Sequence, residues 1–375
     1  MPGKKSIPMT WINKISISFV FWLVASISCW SSDTWIPPSD AHLRYEGRWD
    51  HSNPQAAVAD WPGVYVKIRF QGTGCSVKLQ GQNVFTATVD GEIKATFVVG
   101  DSAQIFDVAH GLENSTHVLA LYKRSESQTS TASFWGFFLD SGAVLLDPPK
   151  ESGRRIEFIG DSYTLGFGME SSVREADGLD EDSLVLYTTN AYAAFGPVLA
   201  RSLGADYQLN AFSGKGLVRN INGIDPGKPF GYFYDYTLLS QRNTLGQSSL
   251  WNFSSWHPQV IVIGLGINDF QANPPYADSL TFDRVYSSLL DALRARHPGV
   301  RFVLCATAVW PTNALIPHIQ SIVASQRTTG HLDVTYFEYG AEKTGLWWHP
   351  DVHDHAEIAR QLRPLVARLG GWMTR

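Results

Sequence analysis

Cysteine is scarce in this chain of 375 residues, which contains three in total. Cys29 lies in the apolar N-terminal run, so only Cys75 and Cys305 belong to the rest of the chain. Each of these two lies in a strand-like run of a different predicted domain, and we expect two buried free thiols in preference to a disulfide between domains. No Cys/His cluster has the spacing of a zinc site, and the sequence predicts neither a metal nor a cofactor.

Charged residues are also few, at 17% of the chain, and the net charge is −5. Nucleic-acid binding requires a basic surface, so nucleic acid is not an expected partner. The apolar fraction of 44% suffices for a large core and excludes a disordered chain. Aromatic side chains are plentiful, with 13 Trp. We assign most of them to core packing, and the surplus suits stacking on sugar rings.

The chain also lacks a run of the roughly 20 apolar residues that a membrane-spanning helix needs. Three lysines among the first 14 residues precede an apolar run at about residues 15–30, and two serines follow. This pattern is typical of a secretory signal peptide. We predict that residues 1–32 are such a signal, that the protein is secreted, and that it is not stably inserted in a membrane after cleavage. A retained N-terminal anchor is the alternative.

Residues 40–147 show the pattern of an all-β domain. Val64–Phe70 and Cys75–Leu79 alternate between apolar and polar residues, and Phe85–Val89 runs into Asp90-Gly91, a strong hairpin signal. No stretch of helical period interrupts these runs. The sequence therefore predicts a β-sandwich of the jelly-roll type.

Residues 152–375, which follow a Pro-Pro boundary, have a different pattern. Apolar strands alternate with amphipathic helices, and this predicts an α/β domain with three layers and a parallel sheet. The predicted strands are Ile156–Ile159, Tyr207–Ala211, Val260–Gly264, Phe302–Ala306 and Val334–Tyr339, and the predicted helices are Tyr192–Leu203, Phe282–Arg296, Leu315–Arg327 and Val352–Leu369.

Four short motifs supply candidate catalytic groups. Ser162 and Asn268 each follow an apolar strand, Gly214 follows another, and His349 precedes Pro350 at the start of a helix. A serine, an imidazole base and donors for an oxyanion are the groups that ester hydrolysis requires. Each motif alone is weak, because Gly-Asp-Ser is also common in turns. Asp269 could cap the segment that follows it.

Two irregular segments lie between the first strands of this domain. We interpret the acidic segment Glu170–Asp182 as a solvated loop. The segment Gly223–Tyr236 is rich in glycine, proline and aromatic residues. Loops at the carboxyl ends of strands line the ligand crevice of open α/β sheets, so this segment is a candidate for substrate contact.

Taken in order, the four motifs resemble the SGNH hydrolases, a superfamily of small-ester hydrolases. The resemblance implies that Ser162 is the nucleophile and His349 the base. It also implies an oxyanion hole made by the N–H groups of Ser162 and Gly214 and by the side chain of Asn268. A β-sandwich ahead of such a domain resembles carbohydrate esterase family 2, whose members remove acetyl groups from plant polysaccharides such as xylan and glucomannan. An acetylated polysaccharide or oligosaccharide is thus the expected partner, and a monomer the expected state.

The chain departs from the SGNH pattern at Leu346, where the family usually has an aspartate three residues before the histidine. Some members of carbohydrate esterase family 2 look like Ser–His dyads in which a backbone carbonyl holds the imidazole, and the resemblance leads us to favour that arrangement here. Asp351 or Glu342 could supply a carboxylate instead. Trp347 and Trp348 could form a wall for sugar stacking or pack in the core. Two other functions remain open: hydrolysis of other small esters, and glycan binding by a protein that has lost catalysis.

Overall fold

The computed structural model describes residues 33–372, and the predicted signal peptide lies outside this range. The first 114 described residues form two six-stranded antiparallel sheets packed face to face, as predicted. Apolar residues alternate along β5, so one of its faces is buried. The strands are β1 (Thr34–Ile36), β2 (Arg44–Glu46), β3 (Asp50–Asn53), β4 (Ala56–Ala59), β5 (Tyr65–Gly72), β6 (Cys75–Gln80), β7 (Asn83–Val89), β8 (Glu92–Val99), β9 (Gln104–Ala109), β10 (Ser115–Lys123), β11 (Ala132–Leu139) and β12 (Val144–Leu146).

One sheet of the sandwich has the order β3-β4-β11-β6-β9, with β1 added on β11. The other has the order β12-β5-β10-β7-β8, with β2 added on β5. The hairpin predicted at Asp90-Gly91 joins β7 to β8, and both residues have a positive φ.

The remainder is the predicted α/β domain, with a parallel sheet in the order β14-β13-β15-β16-β17. Its strands are β13 (Arg155–Gly160), β14 (Asp206–Ala211), β15 (Val260–Gly264), β16 (Arg301–Ala306) and β17 (Val334–Glu338). Its helices are α1 (Ser162–Leu165), α2 (Glu181–Thr188), α3 (Phe195–Ser202), α4 (Gly231–Tyr234), α5 (Leu239–Leu245), α6 (Ile267–Phe270), α7 (Ser279–Arg296), α8 (Leu315–Thr328) and α9 (Val352–Leu369).

All five predicted strands and all four predicted helices are present, although some of their ends differ from the prediction. α7 begins before the predicted Phe282, because the Asp278 carboxylate accepts the N–H of Thr281. α9 begins where predicted, because Asp351 and Asp354 form a capping box. The short helices were not predicted. α2, for example, begins inside the predicted acidic loop and buries none of its side chains, so it has no apolar stripe to read.

The sandwich and the α/β domain share one continuous hydrophobic core. Buried polar groups also cross between them. The guanidinium of Arg48 lies 4.7 Å from the ring centre of Tyr234 and donates to the carbonyl of Tyr236 at 3.0 Å. The carboxylate of Asp60 accepts the N–H groups of Leu239 and Ser240, at 3.0 and 2.8 Å. The two domains therefore pack together as one body.

Cys75 and Cys305 are both buried and are not bonded to each other, as predicted. Burial raises the pKa of the Cys75 thiol to about 12, and it raises that of Cys305 further. Both thiols are thus protonated and poorly reactive at neutral pH. In the described part of the chain, no helix is long and apolar enough to cross a bilayer.

Candidate active site

Three of the predicted site residues follow neighbouring strands of the parallel sheet. Ser162 follows β13, Gly214 follows β14 and Asn268 follows β15, and β13 lies between the other two strands. Because the carboxyl ends of parallel strands meet at one edge, the sheet brings these residues together. Gly160 ends β13, where a Cβ would lie 1.9 Å from the Thr164 hydroxyl, so only glycine lets the chain turn there into α1.

His349 completes the cluster from the far end of the chain. Its Nε2 lies 2.8 Å from the Ser162 hydroxyl, and its Nδ1 lies 2.7 Å from the backbone carbonyl of Leu346. A carbonyl oxygen only accepts, so Nδ1 carries the ring proton and Nε2 is left as the acceptor for the serine. This is the tautomer that a general base requires.

The carbonyl of Leu346 is aimed at the imidazole by an unusual backbone. Trp347 and Trp348 both have a positive φ, 49° and 56°, a conformation that costs a residue other than glycine about 1–2 kcal/mol. Neighbouring segments hold the turn in place. The N–H of Leu346 donates to the backbone carbonyl of Gly168 at 3.1 Å, and the N–H of Trp347 donates to the backbone carbonyl of Arg174 at 2.7 Å. The acidic segment that contains Arg174 thus helps to hold the turn before His349.

The two carboxylates left open by the sequence have other partners. Asp351 caps α9 and accepts the N–H groups of His353 and Asp354. Glu342 is exposed. Among the described residues, neither hydrogen bonds to His349, whose Nδ1 faces the carbonyl of Leu346. The Leu346 side chain itself is fully buried.

Burial lowers the pKa of His349 to about 4, and the nearby ammonium of Lys343 acts in the same direction. The Leu346 carbonyl opposes this shift. The rings of Tyr163 and Phe167 flank the imidazole, with centres 5.0 and 4.7 Å from it. They exclude water that would stabilise the charged form. The imidazole is therefore neutral, and able to accept a proton, well below pH 6.

The expected oxyanion donors lie beside the serine. Neither the N–H of Ser162 nor that of Gly214 has an acceptor within residues 33–372. Gly214 has a φ of +75°, the left-handed region that glycine tolerates best. The Asn268 amide donates to the Lys215 carbonyl at 3.0 Å and to Asp161 at 3.3 Å, so donation to an oxyanion would exchange one of these contacts.

Asp269 does not cap the segment after it, contrary to the sequence prediction. Its carboxylate accepts the backbone N–H groups of three consecutive residues of the loop after β14, Leu217, Val218 and Arg219, at 2.7–2.9 Å. Burial raises its pKa to about 6, an increase that these hydrogen bonds oppose. Asp269 thus ties the loop that carries Gly214 to α6. No sequence pattern could have indicated these partners, about 50 residues away.

A cavity of about 400 Å³ opens over the Ser162–His349 pair. Its wall contains Trp347, which stacks on Phe167, whereas the exposed Trp348 is not among the lining residues. Ile224, in the segment Gly223–Tyr236, lines the cavity. The aromatic residues Phe230, Phe233 and Tyr234 of the same segment are buried in the core and do not line it.

The sandwich also contributes to this cavity, which the sequence did not indicate. Gln128, in the segment between β10 and β11, lies in the cavity wall with Ser213 and Gly214. In the described residues, no group of three or more His, Cys, Asp or Glu side chains is arranged to hold a metal ion. The contact between Ser162 and His349 offers nucleophilic attack by a serine hydroxyl with a histidine as base.

Family comparisons cover both domains. Residues 45–149 match the model of the carbohydrate esterase 2 N-terminal domain, and residues 158–354 match the GDSL-like lipase/acylhydrolase family.

Curated relatives agree with these matches. The chain is 32% identical to cellulase/esterase CelE of Acetivibrio thermocellus over 91% of its own length and 41% of that protein. It is 33% identical to an acetylxylan esterase/glucomannan deacetylase of Cellvibrio japonicus, over 83% of this chain and 85% of the relative. The chain thus spans less than half of the first relative and most of the second.

A solved structure is similar over almost all of the described fold. It is a family two carbohydrate esterase from Clostridium thermocellum in complex with cellohexaose, with 32% identity and a TM-score of 0.79. The match covers 88% of this chain and all of that one. On its two domains, its cluster of serine and histidine, and these relatives, the chain belongs to carbohydrate esterase family 2.

Proposed function

We propose that this protein is a secreted esterase that removes O-acetyl groups from plant cell-wall polysaccharides such as xylan and glucomannan. The observation that carries the proposal is the contact of 2.8 Å between Ser162 and His349 at the floor of an open cavity. The names of the relatives support acetyl groups on polysaccharides as the substrate class. The intact serine–histidine contact favours catalysis over glycan binding alone.

In the proposed mechanism, His349 Nε2 takes the proton of the Ser162 hydroxyl as its oxygen attacks the acetyl carbonyl carbon. The negative charge that develops on the carbonyl oxygen is stabilised by the N–H groups of Ser162 and Gly214 and by the amide of Asn268. The tetrahedral intermediate collapses, the bond to the sugar oxygen breaks, and His349 returns the proton to the leaving sugar alcohol. Water, deprotonated by His349, then hydrolyses the acetyl-enzyme and releases acetate.

The Leu346 carbonyl takes the part that an aspartate plays in a triad. It fixes the tautomer of His349, and its dipole stabilises the imidazolium that forms in the transition state. A dipole stabilises this cation less than a full negative charge does. Much of the rate enhancement is therefore assigned to the oxyanion donors.

Acetate release from acetylated xylan and acetylated glucomannan tests the proposal, with the parent protein compared with Ser162→Ala. We expect release by the parent and a loss of at least ~10³-fold in the variant, whose melting temperature stays close to that of the parent. Activity retained by the variant refutes the nucleophile assignment. A parent that releases no acetate from either polymer or from an aryl acetate favours glycan binding.

The role of the tryptophans as a sugar-binding wall has its own test. Trp347→Ala should raise KM for acetylated oligosaccharides and leave turnover of a small aryl acetate within about threefold, because only the longer substrate reaches this wall. Trp348→Ala is the matched control, since Trp348 is exposed and does not line the cavity. Equal effects of both variants on KM would contradict the assignment of Trp347.

A further inference from the structure

The segment between β10 and β11 reaches from the sandwich to the turn that carries Gly214. The Glu126 carboxylate accepts the backbone N–H of Ser213 through Oε1 at 2.7 Å. Its other oxygen, Oε2, accepts from the Gln128 side chain at 3.2 Å, and Gln128 lies in the wall of the cavity. One carboxylate of the sandwich therefore connects the cavity wall to the residue directly before the expected oxyanion donor.

Glu126 is held in place on both sides along the chain. The hydroxyls of Ser125 and Ser127 both donate to the buried Asn83 side chain, the first at 3.0 Å. The ammonium of Lys123 is fully buried and donates to the carbonyl of Ser125 at 2.6 Å. A side chain between two anchored residues loses little further entropy when it forms its own hydrogen bond, and it can fix its partner firmly.

The other end of the turn is held from the catalytic domain. The carbonyl of Gly214 accepts the N–H of Ile221 at 2.9 Å, and Asp269 holds residues 217–219. Nothing in the catalytic domain holds the N–H of Ser213, whose partner within the described residues is Glu126. The peptide that bears the N–H of Gly214 is thus flanked on one side by a contact from the sandwich.

We infer that Glu126 is a positioning residue through which the β-sandwich sets the orientation of the Gly214 N–H in the oxyanion hole. The inference rests on the proposed function, since it assigns Gly214 as an oxyanion donor. It gives the sandwich a part in catalysis through a single hydrogen bond. The bond needs an acceptor of the right reach and does not need a charge.

Three substitutions distinguish the effect of the length of the Glu126 side chain from the effect of its charge. Glu126→Ala removes the acceptor, and Glu126→Asp keeps the charge but shortens the side chain by one methylene. Glu126→Gln keeps both the reach and an oxygen that accepts the Ser213 N–H. We expect the alanine and aspartate variants to lose about 10- to 100-fold in kcat with KM within about threefold, as for a misplaced catalytic group. The glutamine variant should keep kcat within about threefold.

Glu46→Ala is the matched control. Glu46 is also a buried carboxylate of the sandwich that accepts a hydrogen bond from the catalytic domain, from the indole N–H of Trp256 at 3.0 Å, but Trp256 lies outside the cavity lining. This variant should lower the melting temperature and leave kcat unchanged. A substitution that acts only through stability behaves like the control, so a fall in kcat confined to Glu126→Ala and Glu126→Asp marks the positioning role.

The measurement is kcat and KM for acetate release from an acetylated xylo-oligosaccharide, with thermal unfolding of each variant and Ser162→Ala in parallel. Parent-like kcat in both Glu126→Ala and Glu126→Asp overturns the inference, and so does a loss in Glu126→Gln as large as that in Glu126→Ala. If Glu126→Ala does not fold, Glu126→Asp alone decides. A parent that releases no acetate refutes the proposed function; an active parent with an inactive Ser162→Ala and parent-like Glu126 variants refutes only the inference.

Discussion

The lowered pKa of His349 makes a quantitative prediction about the acid side of the pH profile. The dependence of kcat/KM on pH reports the ionisation of the free enzyme, and only the neutral imidazole accepts the serine proton. With the His349 pKa at about 4, the neutral fraction at pH 5 is about 0.9, whereas a histidine of ordinary pKa would be about 0.03 neutral. Activity should therefore persist to pH 5.

The same shift has an energetic meaning. A pKa lowered from 6.5 to about 4 means that protonating His349 in the free enzyme costs about 3 kcal/mol more than in water. Burial against Tyr163 and Phe167 is the main cause, so admitting water to the ring should reverse part of the shift. Trp347→Ala opens the wall beside Phe167 and should move the acid limb to higher pH, and Trp348→Ala should not.

The assay is kcat/KM for acetate release from an acetylated xylo-oligosaccharide between pH 3.5 and 8. A sample held at each pH and returned to pH 7 controls for acid unfolding, since only recovered activity counts as titration. An acid limb with its midpoint near pH 6.5 would refute the reasoning, because it would mean that the imidazole is solvated in the free enzyme.

Two further substitutions test the backbone of the site. Leu346→Ala should leave kcat within about threefold, because the carbonyl and not the side chain holds His349, while removal of the fully buried side chain costs about 2–5 kcal/mol in the free energy of unfolding. A large loss of kcat without destabilisation would contradict the carbonyl's role. Gly214→Ala should lower kcat about tenfold, because its Cβ would lie 3.2 Å from Ile221 on a left-handed backbone that disfavours alanine by about 1–2 kcal/mol. Gly204→Ala, also left-handed but with open space around it, is the control and should change stability alone.

The strands and the long helices could be predicted because each repeats a local pattern of apolar residues. The alternation in Val64–Phe70 and the apolar run Val260–Gly264 each reflect burial on one or two faces of a strand, which the residues themselves specify. The start of α9 also depends on local residues, since Asp351 and Asp354 cap it within four residues. Short helices such as α2 were not predicted, because they bury no apolar stripe of their own.

The sequence by itself determined the order of the motifs and predicted both the two domains and Ser162, Gly214, Asn268 and His349 as site residues. Their spacing follows from the strands that precede them, and strand ends meet at one edge of a parallel sheet. Only the tertiary structure decided which hydrogen bonds hold these groups in position. The sequence analysis favours a backbone carbonyl as the acceptor for His349 without saying which one, and the structure places the carbonyl of Leu346 there. The contact from Glu126 to Ser213 joins residues 87 positions apart, and such long-range contacts depend on how whole domains pack.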